Sequence, residues 1–197
     1  MANGSKLPDC SETYNLLRGL DENGVRDPSL PVYLNAENLI KMIMTVHFTG
    51  DNDSPANESD KPNNILAFRN RRDQGLKTGF LWNRHDAERS LNHDTSPAYD
   101  SCVSLMCGVN QVSYDFFNPA ALHGGLIKNA EYRMLFADLV NKHIIRPDGE
   151  LSPAKGEARY RARMAEIDDA IACEAARWGA SCAKMPDHEL WLTNCQT

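Results

Sequence analysis

The chain has 197 residues, 42% hydrophobic and 24% charged, with a formal net charge of −6 and a sequence pI near 5.5. That length suits one domain or one large lobe. The acidic balance argues against a nucleic-acid partner, which favours a basic face, and gives no reason to expect binding to an anionic membrane surface.

No apolar run reaches the roughly 18 residues that a membrane helix needs, so no membrane segment is expected. The start, "MANGSKLPDC", has no apolar signal core, so the cytoplasm is expected if Met1 is the native start. The six cysteines, Cys10, Cys102, Cys107, Cys173, Cys182 and Cys195, contain no CxxC spacing, which argues against structural zinc. Their even number is compatible with three disulfides outside the cytoplasm or with free thiols.

In chain order, "SETYNLLRGL" reads as a short helix capped by Ser11, followed by the turn-rich "LDENGVRDPSLP". "LNAENLIKMIMTVHF" is the first long helix, with Asn35 as its N-cap and Leu39, Ile40, Ile43, Met44 and Phe48 on a broad apolar face. An acidic loop, "TGDNDSPANESDKPNN", comes next. "NILAFRNR", the turn "RDQG" and "LKTGFLWNR" then form a β-hairpin pattern that runs into "HDAERSL". The stretch "SPAYDSCVSLMCGVN" is irregular, with room for one helical turn.

The remainder is helical. Pro119 stands near one helix start. Tyr132, Leu135, Phe136, Leu139 and Val140 form the inward face of the next helix, which "RPDG" ends. The last helix has Ser152 as N-cap, Pro153 at its first position and Gly179 as C-cap. Its stripe of Met164, Ile167, Ile171 and Ala175 reads as core.

The acidic loop opens like a calcium loop, with Asp51 and Asp53. An EF-hand also needs Asp or Asn at its fifth position, Gly at its sixth and Glu at its twelfth. Those positions hold Pro55, Ala56 and Pro62, so neither the tight turn nor the bidentate ligand exists. The hairpin suggests a different chemistry. The exit of its second strand lies near the entrance of its first, which brings Asp86 towards Asn63 and Asn64. Phosphoryl transfer in protein kinases uses such an order: a helix, a loop with a catalytic Asp and a metal-binding Asn, a hairpin, then a second Asp on the metal. Magnesium takes hard oxygen ligands and keeps some waters, so one carboxylate and one amide suffice. Another carboxylate nearby orients the attacking hydroxyl and receives its proton.

"YLNAENLIKMIMTVHFTGDND", "PNNILAFRNR", "GFLWNRHDAERSL" and "EAARWG" together resemble the CotH kinase family. These atypical protein kinases are named for a bacterial spore-coat protein, and many are large exported proteins. The resemblance runs from "DCSETYNLL" to Trp178. It implies an α+β, mostly helical fold: a protein-kinase-like large lobe with a short β-hairpin, covering residues 1–182, with 183–197 as a truncated tail. The implied reaction moves the ATP γ-phosphoryl group to a Ser or Thr hydroxyl of a protein substrate, with magnesium or manganese. The implied location is outside the cell or at its surface.

By the same resemblance Asp53 is the catalytic base. Asn64, with Asn63 beside it, and Asp86 hold the metal and nucleotide, and Glu88 supports the metal. Asp51 stands where the family has Asn, and Ile65 where it has Trp. Asp53 and Asn64 are eleven residues apart, against five in protein kinases, so "SPANESDK" reads as an insertion. Neither a Gly-rich phosphate loop nor a "VAIK"-like strand occurs, and Lys6 and Lys41 are poor substitutes. The expectation is a fragment without the small nucleotide lobe, inactive alone and partnered by the missing N-terminal lobe.

Two other readings compete. One is a non-catalytic binding module of a secreted or surface protein. The other is a metal-dependent hydrolase using His85 and His93 beside Asp86 and Asp94, although that pattern matches no standard ligand spacing. "NGS", "NDS" and "NES" also fit the glycosylation triplet, which is a weak signal.

Overall fold

The computed structural model describes residues 10–51, 64–70, 72, 77–87, 90 and 119–178. Its order is α1 (Ser11–Leu17), α2 (Ala36–Thr49), β1 (Ile65–Phe68), β2 (Leu81–Arg84), α3 (Pro119–Leu126), α4 (Ala130–Val140), a π-helical stretch (Asn141–Ile145) and α5 (Pro153–Trp178). The fold is α+β and mostly helical, with one antiparallel pair of strands. The chain divides into two compact units, Met1–Lys142 and His143–Thr197. The expected boundary at 182, the "RDQG" turn beyond Arg72, the cap at Gly179 and the helical turn near Cys102 lie outside the described residues.

In the first unit α2 is the central element. The Asn35 side chain accepts the backbone N–H of Asn38 at 2.9 Å, the expected N-cap. Gly50 ends the helix in the left-handed region, at φ 60°, where a residue without Cβ costs least. Leu39, Ile40, Ile43 and Met44 are buried as their spacing predicts, and Met42 and Val46 join them. Phe48 does not: it is 40% exposed, in the last turn of the helix. α3, α4 and β2 all pack on α2. Across α1 and α4, Tyr14 and Tyr132 meet edge to face with ring centroids 5.9 Å apart.

The strands are shorter than the sequence pattern suggests. Ile65 pairs with Arg84, Leu66 with Asn83, Ala67 with Trp82 and Phe68 with Leu81. Leu34 bridges Phe80, so the segment before α2 runs beside the second strand. Gly79 makes this approach possible, since a Cβ there would lie 2.4 Å from the Leu34 carbonyl carbon. α2 and β2 are also joined at the first turn of the helix, where the Asn38 side-chain oxygen accepts the Trp82 N–H at 2.5 Å.

Two expected caps differ from the structure. α1 begins at Ser11, and no side chain caps it. The Ser11 hydroxyl instead accepts the Asn129 amide at 3.0 Å, a partner 118 residues away. Ser152 precedes α5, and its carbonyl accepts the Gly156 N–H at 2.8 Å, but its buried hydroxyl has no hydrogen-bond partner among the described residues. The second unit differs in one further way. Met164 and Ile171 of α5 are half-buried, and Ile167 is exposed, so the stripe read as core is not covered within this unit.

Candidate functional site

The C-terminal end of α2 leads into the acidic loop, and one guanidinium ties this junction to the hairpin. Side chains alternate faces along a strand, so Trp82 and Arg84 of β2 point the same way, towards α2. Trp82 is buried against the helix. Arg84 reaches the end of α2: its Nη1 donates to Thr49 Oγ1 at 2.8 Å, and its Nη2 donates to the Asp51 carboxylate. The same Nη2 donates to Ser90 Oγ at 2.9 Å. Asp51 is 1% exposed and the Arg84 side chain 14%, so this ion pair is held away from water. Three segments therefore converge on Arg84: the helix end, the loop start and the chain beyond Asp86.

This arrangement accounts for the Asp51 of the calcium-like pattern. Its carboxylate is the counter-ion of Arg84, so it is already engaged.

The hairpin brings two of the predicted residues to one end. Ile65 faces Arg84 in the ladder, so Asn64 and Asp86 follow at the open end, opposite the turn. The His85 N–H donates to the Asn64 carbonyl at 2.9 Å and extends the pairing by one step. Asn64 is at φ 51° and Asp86 at φ 49°, the two non-glycine residues with positive φ among the described residues. Asn and Asp tolerate this left-handed conformation better than other side-chain-bearing residues, at a cost of order 1 kcal/mol. Asn64 is half-buried and Asp86 exposed. Asp53, Asn63 and Glu88 lie outside the described residues, as do His93 and Asp94. Among the described residues, no three His, Cys, Asp or Glu side chains gather in a metal-ligand group. Of the cysteines, Cys10 and Cys173 are described, and the Cys10 thiol donates to the Gly125 carbonyl at 3.8 Å; the other four lie outside the described residues.

A half-buried pair of histidines lies near the same end of α2. His123 Nδ1 is 2.8 Å from the Tyr132 hydroxyl, and its ring stacks at a tilt on Phe136 with centroids 5.4 Å apart. Burial, helped by His47 nearby, lowers the His123 pKa to about 4. Burial also lowers that of His47, whose Nδ1 has no hydrogen-bond partner among the described residues. Burial, with Tyr14 second, raises the Tyr132 pKa. Both imidazoles are thus held neutral at pH 7.

A separate groove of about 550 Å³ opens at the other end of α2, between α1, α4 and the Lys77–Gly79 segment. Its floor includes Tyr14, Leu34 and Leu135. Arg18 and Glu131 pair at 2.6 Å on its rim. The 14 residues of α2 span about 21 Å, so the groove is distinct from the Asn64–Asp86 end.

No protein family, characterised protein or solved structure matches this chain. Among the described residues, no helix is long and apolar enough to cross a membrane.

Sequence reasoning singled out neither Arg84 nor the His47–His123–Tyr132 cluster. Arg84 left one readable signal: a charged residue two positions after a Trp, on the strand face that an amphipathic helix must cover. The histidine cluster left none, since its members join only when α3 and α4 fold onto α2.

Proposed function

We propose that this chain is the metal-binding and hydroxyl-orienting lobe of a kinase-like phosphotransferase of the CotH type, from an exported bacterial protein. The observation that supports this reading is the shared placement of Asn64 and Asp86. Both have left-handed backbones at the open end of one hairpin, joined through the His85 N–H and the Asn64 carbonyl. An amide and a carboxylate form a hard-oxygen donor set, and magnesium completes its shell with phosphate oxygens and waters. The pair therefore fits magnesium or manganese.

In this reading Asn64 and Asp86 would hold the ion, and the resemblance adds Asn63 and Glu88 to the set. When bound, the ion neutralises charge on the ATP phosphates. Asp53 orients the acceptor hydroxyl and takes its proton as the oxygen–phosphorus bond forms. The bond from the γ-phosphorus to the bridging oxygen breaks, and ADP leaves with its electron pair. Arg84 holds Asp51, two residues before Asp53, and so fixes the start of the loop against the strand that delivers Asp86. Arg84 is a positioning residue. The reading assigns to this chain the metal and hydroxyl side of the reaction.

A second reading draws on the groove at the far end of α2. A cavity of about 550 Å³ with an apolar floor and a charged rim suits a binding module that performs no chemistry. The hydrolase alternative has only His85 and Asp86 among the described residues, which are too few for a ligand set.

Calorimetric titration with magnesium and ATP separates these readings. Asp86→Asn is the chosen variant, because Asn tolerates φ 49° while the carboxylate charge is lost. The kinase-like reading expects metal-dependent ATP binding that Asp86→Asn weakens at least tenfold. Binding unchanged by Asp86→Asn, or no ATP binding by the folded chain, counts against it.

A further inference from the structure

The two edges of the hairpin differ. The His85 N–H donates to the Asn64 carbonyl and Ile65 faces Arg84, so the antiparallel pattern fixes which backbone groups point where. Trp82 turns its N–H away from β1, and the Asn38 side chain accepts it. One residue before β2, Phe80 donates its N–H to the Tyr33 carbonyl at 2.9 Å. The edge along β2 is thus closed by α2 and the segment that leads into it. On the other edge Ile65 and Ala67 turn their N–H and C=O groups away from β2, and these groups make no hydrogen bond among the described residues. Leu66, Phe68 and Leu81 lie on the sheet face turned away from α2 and are 46%, 53% and 43% exposed. An open, apolar edge strand is a template for a further strand.

We propose that the open edge of β1 docks the acceptor segment of a protein substrate, bound as an extended strand antiparallel to β1. Naming the guest as the acceptor rests on the phosphotransferase reading; the pairing rests on the hairpin alone. The edge itself specifies an extended backbone, because a strand offers a C=O and an N–H to Ile65 and again to Ala67. The edge also leads to the proposed site, since β1 starts one residue after Asn64. A guest strand therefore carries its hydroxyl to the Asn64 end.

Directly opposite residues share a face of the sheet. Guest residues opposite Leu66 and Phe68 are therefore apolar, and those opposite Ile65 and Ala67 make the backbone bonds. Charge sets the direction. Asp86 is exposed at the Asn64 end, and Arg72 is exposed four residues beyond Phe68. An antiparallel guest brings its N-terminal side to the Arg72 end, so acidic residues before the hydroxyl favour this orientation. The substrate class is an extended segment with acidic residues first, alternating apolar residues next, and Ser or Thr last.

Chemical-shift titration of the isotope-labelled full chain, without metal or nucleotide, tests the proposal. The probe is a synthetic peptide of two Asp, then three Val–Thr repeats, then Ser, added to ~1 mM because so short a strand binds weakly. The expected result is saturable binding that moves the Ile65 and Ala67 amides most. N-methylation of the Thr residues, whose N–H groups face β1, should weaken binding at least ~tenfold, and N-methylation of the Val residues should not. Ala67→Pro removes an outward donor that the ladder does not use, at an edge where Pro is tolerated. It should abolish binding while the β2 amides keep their shifts. No binding at ~1 mM overturns the proposal. So do equal losses from the two N-methylated peptides, binding that survives Ala67→Pro, or a second copy of the chain that fills the edge and excludes the peptide. Failure here leaves metal and ATP binding at Asn64 and Asp86 untouched, and failure of that binding leaves the strand pairing in place.

Discussion

Replacing Arg84 with Met tests the junction between loop and hairpin. The substitution keeps an unbranched apolar stem and removes the guanidinium. It leaves the Asp51 carboxylate, 1% exposed, without its counter-ion. Breaking a buried ion pair from one side costs about 3–5 kcal/mol. The bonds to Thr49 and Ser90 are lost as well, each worth roughly 1 kcal/mol. A domain of this size holds about 5–15 kcal/mol in total, so Arg84→Met removes a large share.

The double variant Arg84→Met/Asp51→Leu removes both charges together. Apolar replacement of a buried pair is often close to neutral, so the double variant should recover at least ~2 kcal/mol relative to Arg84→Met. Urea unfolding followed by far-UV circular dichroism measures all of these values. A loss below ~1 kcal/mol in Arg84→Met, or strictly additive losses in the cycle, would refute a buried, coupled pair.

Acid should destabilise the first unit through its half-buried histidines. Burial holds the folded pKa of His123 near 4, below the ordinary 6.5, so the unfolded chain binds the proton first. The stability is complete above pH 6.5 and is lost as pH falls towards 4, by up to about 3 kcal/mol. His47 acts in the same direction. Urea midpoints at pH 7.5 and 4.5 should differ more in the wild type than in His123→Phe, and equal differences would contradict the buried neutral state. Gly79→Ala should cost about 1–3 kcal/mol, since its Cβ would meet the Leu34 and Asn35 backbone at 2.4 and 2.5 Å. A melting temperature within error of the wild type would remove the close approach.

Local signals in the sequence carried far, and non-local ones did not. The apolar spacing of Leu39, Ile40, Ile43 and Met44 and the Asn35 cap depend on neighbours within one helix, and both appear in the structure. The hairpin follows equally from its own pattern and brings Asn64 and Asp86 to one end. Ser11 reads as a cap because a hydroxyl before an apolar run commonly serves as one. Asn129, 118 residues on, binds it instead. Arg84 stayed hidden for the same reason, because its carboxylate partner is 33 residues earlier in the chain. The α5 stripe was legible as apolar, but periodicity cannot say what covers a helix face.

The most direct test of the central claim is paramagnetic broadening of the labelled chain's amide signals by substoichiometric manganese with ATP. The account predicts that the amides of Asn64, Ile65, His85 and Asp86 broaden first, and that Asp86→Asn removes the effect. Broadening centred on Tyr14 and Leu135, or none at any position in the hairpin, would contradict a metal–nucleotide site at its open end.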